Sequence, residues 1–155
     1  MQKSPPVSLR IVIDSREQIP YEFSGVECIV KGLSSGDYSI ENLEDEVAVE
    51  RKNLSDAYGS IGVGRERFER ELARLSEMTY AAIVIESSLK DFLVAPAYSD
   101  LNPKAAIGSL LAWSVKFRLP IFFCGDRAHA QATTLKLLEK YAKYKMTGEL
   151  HYDLE

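Results

Sequence analysis

Four side chains in the first third of the sequence have the types and spacing of a hydrolytic site: Asp14, Asp37, Glu50 and Lys52. Alternate side chains of a strand share one face, so Glu50 and Lys52 point the same way if the segment around them is extended. Carboxylates that crowd together repel one another, and a divalent cation with oxygen ligands relieves that repulsion. Magnesium can activate an attacking water and stabilise charge on a phosphate oxygen. The four residues therefore predict a magnesium-type centre, with Lys52 stabilising that charge or orienting the water.

The segment around Glu50 has a second interpretation, an exposed hairpin edge. Edge strands often carry lysines and acids, which discourage pairing with other strands. An acid and a lysine two residues apart occur in many charged proteins. The spacing of Glu50 and Lys52 alone therefore leaves both interpretations open.

The elements that would position these residues follow from hydrophobic periodicity and from glycine and proline punctuation. Extended runs predict strands at residues 9–14, 26–30, 36–40, 47–52, 81–85 and 121–124. Helical spacing begins at residue 53 and returns at residues 65–78, 102–118 and 127–145. The third and fourth strands are joined by a polar loop and are expected to form a hairpin. This order predicts an α/β domain with a mixed central sheet flanked by helices.

Length and composition are those of one folded domain. The 155 residues are 46% hydrophobic and 27% charged, which is enough to build a core. We expect a flexible leader at residues 1–7, the domain at 8–146 and a polar tail at 147–155. No signal-peptide pattern and no apolar run of about 20 residues is apparent, so we expect an intracellular protein without membrane contact.

The net charge argues mildly against a nucleic-acid partner. It is −4 at pH 7, whereas proteins that neutralise phosphates usually carry a basic surface. Carboxylates gathered at a metal site would lower the net charge and still leave a separate basic surface. The distribution of charge therefore matters more than its sum.

Three motifs occur in a family-specific order. Gly36–Asp37 is followed by Glu50–Lys52, which reads glutamate-arginine-lysine, and then after three residues by Asp56. The segment Asp14–Glu17, which reads aspartate-x-arginine-glutamate, lies upstream of them. With these motifs the chain resembles the nuclease domain of the XPF family of structure-specific endonucleases, over most of its length. The variant after Arg65 is typical of prokaryotic, archaeal or phage members, and we expect a stand-alone member without a tandem helix-hairpin-helix domain.

The resemblance implies a function and a role for each motif residue. It implies a metal-dependent endonuclease that uses Mg²⁺ or Mn²⁺ to cleave branched or flap-like DNA in repair, recombination or replication. It also implies a restriction-endonuclease-like fold, in the cytoplasm or nucleoid of a prokaryote or in a eukaryotic nucleus. The implied metal ligands are Asp14, Asp37 and Glu50, and the implied catalytic lysine is Lys52. The implied supporting residues are Arg16, Glu17, Arg51 and Asp56.

Basic residues on two helices are candidates for contact with DNA. Arg65 faces the phosphates by the resemblance, and Arg67 follows it on the same charged helix. Lys136, Lys140 and Lys143 recur at helical spacing and form a basic stripe on the last helix. A solvated helix face is the alternative for that stripe. Arg51 points away from Glu50 and Lys52, so we expect it to support the site through acids such as Glu17 or Asp56.

The helix at residues 102–118 is apolar over an unusually wide arc. Ala106, Leu110 and Trp113 form one stripe, and Ile107, Leu111 and Val115 form a second beside it. Such a helix must be buried on more than one side, either deep in its own domain or against a second subunit. The resemblance implies paired nuclease domains, so a homodimer or heterodimer through this helix is one expectation and a deep core helix is the other.

Two other functions compete with a DNA endonuclease. A non-catalytic DNA-binding or scaffold subunit would keep the fold while a partner supplied the chemistry. Such a subunit would not require the carboxylates and the lysine and would be expected to lose at least one of them, yet all of them are present here. A restriction-type or RNA-directed nuclease is the second alternative. Only a side-by-side comparison of DNA and RNA substrates separates it from an endonuclease for branched DNA.

Overall fold

The computed structural model describes residues 9–151, which form six strands and five helices. The strands are β1 (Arg10–Asp14), β2 (Glu27–Lys31), β3 (Tyr38–Ile40), β4 (Val47–Asn53), β5 (Tyr80–Glu86) and β6 (Ile121–Phe123). The helices are α1 (Leu54–Ile61), α2 (Arg65–Ser76), α3 (Leu89–Phe92), α4 (Pro103–Lys116) and α5 (Arg127–Thr147). The predicted leader and residues 152–155 of the predicted tail lie outside the described residues.

The six strands form one mixed sheet in the order β2-β1-β3-β4-β5-β6. β3 pairs antiparallel with both β1 and β4, whereas the remaining neighbours are parallel. The predicted α/β class, mixed sheet and hairpin are therefore confirmed. β4 lies inside the sheet, and Val47, Ala48 and Val49 have no exposed surface. The alternative of an exposed hairpin edge is wrong, because β5 covers the side of β4 that a terminal hairpin would leave open.

Side-chain caps and glycines explain where the main helices begin and end. Asn53, Asn102 and Asp126 each accept a backbone N–H at the start of α1, α4 and α5. Gly148 adopts a left-handed conformation immediately after α5. The four-residue α3 was not predicted, because one turn capped by Ser88 is too short to show helical periodicity.

The sheet separates two hydrophobic clusters, and β4 contributes to both by alternation. Ala48 packs with residues of α1, α2 and α4 on one face. Val47 and Val49 pack with residues of α5 on the other face. Burial of each large aliphatic side chain contributes roughly 1.5–3 kcal/mol to stability. The same alternation directs Glu50 and Lys52 toward α1 and α2, and Arg51 toward the α5 face.

α4 buries only one of its two apolar stripes in the described chain. Ala106, Leu110 and Trp113 are at most 4% exposed, whereas Leu111 is 59% exposed and Val115 is 79% exposed. The expectation of a deep core helix is therefore wrong, because Leu111 and Val115 of the second stripe stay exposed within residues 9–151, and only Ile107 packs partly against the core. No helix within this range is long and apolar enough to cross a membrane.

Candidate active site

Asp37, Glu50 and Lys52 meet where β3 and β4 pair. The Asp37 backbone N–H donates to the Val49 carbonyl oxygen at 2.9 Å, which continues the hairpin pairing by one residue. The Arg51 backbone N–H donates to Asp37 Oδ2 at 2.8 Å. Lys52 Nζ lies 3.7 Å from Glu50 Oε2. Alternation along β4 and one carboxylate bound to the next strand therefore bring an amine and two acids together, as the sequence predicted.

A glycine turn places Asp37 at this position. Gly36 has a φ of +79°, and a Cβ atom there would lie 2.7 Å from the Cβ of Ala48. Both features require glycine, because other residues disfavour positive φ and two carbons cannot approach so closely. The Gly36 backbone N–H also donates to Glu71 Oε1 at 3.0 Å. A helical carboxylate on α2 therefore fixes the turn that presents Asp37.

The two carboxyl groups of Asp37 and Glu50 are electrostatically coupled. Burial raises the pKa of Glu50 well above its ordinary value, and the neighbouring Asp37 carboxylate raises it further, while Lys52 opposes the shift. Burial also raises the pKa of Asp37, against hydrogen bonds from its neighbours. Two neighbouring acids that resist simultaneous ionisation, one buried and one partly buried, have the electrostatics of a cation site.

Asp14 lies in the same cleft but its oxygens have internal donors. Asp14 is 3% exposed. Its Oδ2 accepts from Arg16 Nε at 2.9 Å, and its Oδ1 accepts from the Leu33 backbone N–H at 2.9 Å. The Asp14 N–H in turn donates to the Asp37 carbonyl oxygen at 2.9 Å. Asp14 therefore braces Asp37 through the backbone, and within residues 9–151 no three His, Cys, Asp or Glu side chains are grouped as a preformed metal site.

The cleft around these residues is open, acidic and about 1140 Å³ in volume. Its cationic lining side chains are Arg16, Lys52, Arg67 and Arg74. Its acidic lining side chains are Asp14, Asp37, Glu50, Asp56, Glu71 and Asp100. Six acids against four cations leave a deficit of positive charge, and the available donors are hard oxygen atoms. Mg²⁺ or Mn²⁺ fits this donor set, since both prefer carboxylate ligands supplemented by water.

Arg51 occupies the opposite face of β4 and is held on several sides. Its Nε donates to Glu86 at 2.8 Å and its Nη1 donates to Glu17 at 3.0 Å. The Nη1 group also donates to the Ile19 carbonyl oxygen at 2.7 Å. The guanidinium lies 4.3 Å from the centroid of the Tyr21 ring. The predicted supporting role toward Glu17 is therefore matched by a contact, whereas Glu86 takes the place suggested for Asp56.

Two tyrosines extend this support and were not predicted from the sequence. Tyr38 donates its hydroxyl proton to Glu17 at 2.7 Å and accepts the Tyr21 backbone N–H at 2.8 Å. The two rings stack with centroids 5.0 Å apart. The Tyr21 hydroxyl donates to Glu86. Two features of the sequence could have indicated this support: Tyr38 follows Asp37 directly, and Glu86 ends a buried strand.

The predicted DNA-contacting residues lie at three different places. Arg67 lines the cleft and forms no ion pair with any residue in 9–151. Arg65 lies outside the cleft lining, 4.5 Å over the Trp113 ring, and donates to Ser109 at 2.9 Å. The basic stripe Lys136, Lys140 and Lys143 is on α5, which packs on the other face of the sheet, and does not line this cleft. Asp56 does line the cleft and is exposed.

Comparison with known proteins identifies the family. The sequence matches the ERCC4 domain over residues 13–137, which is most of the chain. The chain belongs to the ERCC4 domain family. The resemblance to XPF nuclease domains read from the motifs is confirmed.

Relatives of this ERCC4 domain include archaeal proteins. It is 27% identical over 140 residues to the 3′-flap repair endonuclease Xpf of Saccharolobus solfataricus, which covers 86% of this chain and 56% of that protein. The structure of XPF from Aeropyrum pernix is 25% identical with a TM-score of 0.65, and covers 88% of this chain and 61% of the other. A. pernix XPF in complex with DNA has the same fold at 23% identity and a TM-score of 0.63, covering 90% and 66%. The chain thus spans about half the length of its curated relative, and the expected restriction-endonuclease-like fold is confirmed.

Proposed function

We propose that this ERCC4 domain is a metal-dependent endonuclease that hydrolyses phosphodiester bonds in branched or flap-containing DNA. The observation that carries the proposal is the coupled pair of carboxylates, buried Glu50 and partly buried Asp37, beside Lys52 in an open cleft. Burying two acids together costs stability in the absence of a cation. Their retention is explained if the pair has a chemical task.

Asp37 and Glu50 would hold Mg²⁺ or Mn²⁺, with Asp14 as the third ligand expected from the family resemblance. When bound, the cation supplies an activated water and stabilises charge on the phosphate. The internal donors of Asp14 favour a role in positioning Asp37. Lys52 supplies a positive charge next to Glu50, where it can stabilise negative charge on the scissile phosphate.

Supporting residues act on the other side of β4. Arg51 is anchored by Glu17 and Glu86, and its backbone N–H holds the Asp37 carboxylate at 2.8 Å. A rigid Arg51 therefore keeps Asp37 oriented toward Glu50. Positioning of this kind matters because small displacements of reacting groups reduce rates strongly. Arg16 acts in the same way on Asp14.

DNA would approach the cleft along Arg67, a cationic lining side chain that forms no ion pair with residues 9–151. Arg65 and the stripe Lys136, Lys140 and Lys143 remain candidates for phosphates farther along the duplex. Two relatives support DNA as the polymer, since one is a 3′-flap repair endonuclease and another was solved in complex with DNA. Repair, recombination or replication inside the cell is the corresponding setting.

The exposed stripe of α4 supports pairing with a second subunit. Ile107 and Leu111 line a cavity of about 370 Å³ that also includes Phe123, and Val115 of the same stripe is 79% exposed. Contiguous apolar surface of this kind marks interfaces. We propose that a second copy of the chain, or a related subunit, covers it.

A non-catalytic scaffold subunit is the second candidate. The exposed α4 stripe is compatible with it, but the complete set of Asp37, Glu50 and Lys52 favours catalysis. The test incubates the purified chain with labelled 3′-flap, fork, plain duplex and matched RNA substrates in Mg²⁺ and in EDTA. The proposal expects Mg²⁺-dependent cleavage of the branched DNA above that of duplex and RNA. Absence of cleavage on all substrates would favour the scaffold, and preferential RNA cleavage would favour the RNA-directed rival.

A further inference from the structure

The loop between α3 and α4 presents an aromatic ring at the mouth of the cleft. Tyr98 is 70% exposed and lines the same cleft as Asp37, Glu50 and Lys52. Its hydroxyl donates to Ser55 Oγ in the first turn of α1. One end of the side chain is therefore tethered while its ring is left uncovered.

The loop is fixed on both sides of Tyr98. Ala95 and Leu101 are partly buried against the α1/α2/α4 hydrophobic cluster. The Ser99 backbone N–H donates to the Pro96 carbonyl oxygen at 2.9 Å, which closes a four-residue turn with Tyr98 in its third position. The Leu101 N–H donates to Ser99 Oγ at 3.2 Å. The ring is therefore held at a defined place with most of its surface exposed.

The tether locates the ring close to the hydrolytic residues. Ser55 is three residues after Lys52, so their Cα atoms are at most about 11 Å apart. A nucleotide on Tyr98 would therefore be a near neighbour of a phosphate beside Lys52.

The charge around the ring favours a base over a phosphate. Asp56 follows Ser55, Asp100 is two residues after Tyr98, and both line the cleft. Acidic neighbours repel phosphate oxygens at this position. A base face carries no charge and stacks on exposed tyrosine rings.

We propose that Tyr98 is a stacking platform for an unpaired nucleobase of the DNA substrate, next to the branch. The inference rests on the proposed function, because it assumes that DNA enters this cleft. The faces of paired bases are already covered by stacking within the duplex, so only an unstacked base offers a free face. The platform thus selects single-stranded DNA next to the scissile phosphate.

The test uses a 3′-flap duplex with 2-aminopurine at successive positions beside the branch, and Ca²⁺ in place of Mg²⁺ to keep the strand intact. Stacking on Tyr98 quenches 2-aminopurine fluorescence at one or two of these positions on binding, and not in a fully paired duplex. Tyr98→Phe keeps the ring and most of the quenching. Tyr98→Ala loses the quenching and weakens binding by about 5- to 140-fold, the range provided by one base–aromatic stack.

A matched control and two contrary results make the test decisive. Val94→Ala removes an exposed apolar side chain from the same loop, outside the cleft lining, and is expected to leave quenching and affinity unchanged. If Tyr98→Ala quenches the fluorescence as strongly as the unmodified protein and flap DNA is cleaved normally, the stacking platform is refuted and the proposed function still stands. Failure of the unmodified protein to bind or cleave flap DNA overturns both.

Discussion

Replacement of Gly36 by alanine tests how tightly the turn before Asp37 is packed. Two penalties are expected. A positive φ costs alanine about 1–2 kcal/mol relative to glycine. The new Cβ would also lie 2.7 Å from the Ala48 Cβ, and overpacking of this kind typically costs about 1–3 kcal/mol.

The chain contains a control that separates the two penalties. Gly25 has a φ of +76°, close to the +79° of Gly36, but a Cβ there would meet nothing within 4 Å. Gly25→Ala should therefore show only the backbone penalty, reduced by the smaller entropy of the unfolded chain. We expect the free energy of unfolding to fall by about 1–3 kcal/mol more for Gly36→Ala than for Gly25→Ala.

Urea unfolding followed by circular dichroism measures this difference. With a denaturant slope of about 2 kcal/mol per molar, the two midpoints should differ by about 0.5–1.5 M. Gly36→Ala should cost less in an Ala48→Gly background than in the unmodified chain, since the clashing carbon is removed. Equal midpoints for Gly36→Ala and Gly25→Ala, or the same loss from Gly36→Ala in both backgrounds, would refute the packing on which the Asp37 geometry rests.

Three further outcomes follow from the contacts described above. Burial raises the pKa of Glu50, so in EDTA stability should be full below pH about 4.3 and should decrease as pH rises through the raised pKa. Urea titrations from pH 4 to 8 should show a smaller decrease for Glu50→Gln, and parallel curves would contradict the burial. Arg51→Lys keeps the charge but loses the guanidinium hydrogen bonds to the carboxylates of Glu86 and Glu17. The free energy of unfolding should therefore fall by about 1.5–3 kcal/mol for each charged hydrogen bond lost. An unchanged urea midpoint would contradict this expectation. Val115→Glu should lower the sedimentation mass at micromolar concentration to that of the monomer, whereas Val94→Glu, at a similarly exposed site outside α4, should not. A monomeric unmodified chain would contradict the proposed dimer.

Local patterns in the sequence were sufficient for β4 and the residues around it. Alternation along a strand has a period of two, so the separation of Glu50 and Lys52 from Arg51 depends only on the segment being extended. These features are set by neighbours in the sequence, and the structure reproduces them.

Contacts between distant segments could not be predicted in this way. Tyr21 belongs to an irregular stretch, and its contact with Glu86 joins residues 65 positions apart. In the sequence, Glu71 is one of several acids that alternate with arginines on an exposed helix surface. The orientation of α2 nevertheless brings it to the Gly36 N–H. The sequence did not show that the Arg65 guanidinium would lie over the ring of Trp113 on α4. Each case depends on how helices pack on the sheet, which local periodicity does not specify.

The expectation about Asp14 shows the same limit at the candidate metal centre. The sequence placed Asp14 at the end of β1, close to Asp37, and the structure keeps it there. The sequence could not show that Arg16 and the Leu33 N–H would occupy its oxygens. The paired acids Asp37 and Glu50 are therefore the strongest candidates for holding the cation.

The most direct test of the account is single-turnover cleavage of 3′-flap DNA as a function of Mg²⁺ concentration. The unmodified chain is compared with Glu50→Gln, which is isosteric, and with Lys52→Ala. The account predicts cleavage that requires Mg²⁺, is abolished by Glu50→Gln and is strongly reduced by Lys52→Ala, while all three proteins give the same circular dichroism spectrum. Cleavage that persists in EDTA, or that Glu50→Gln performs at the unmodified rate, would contradict it.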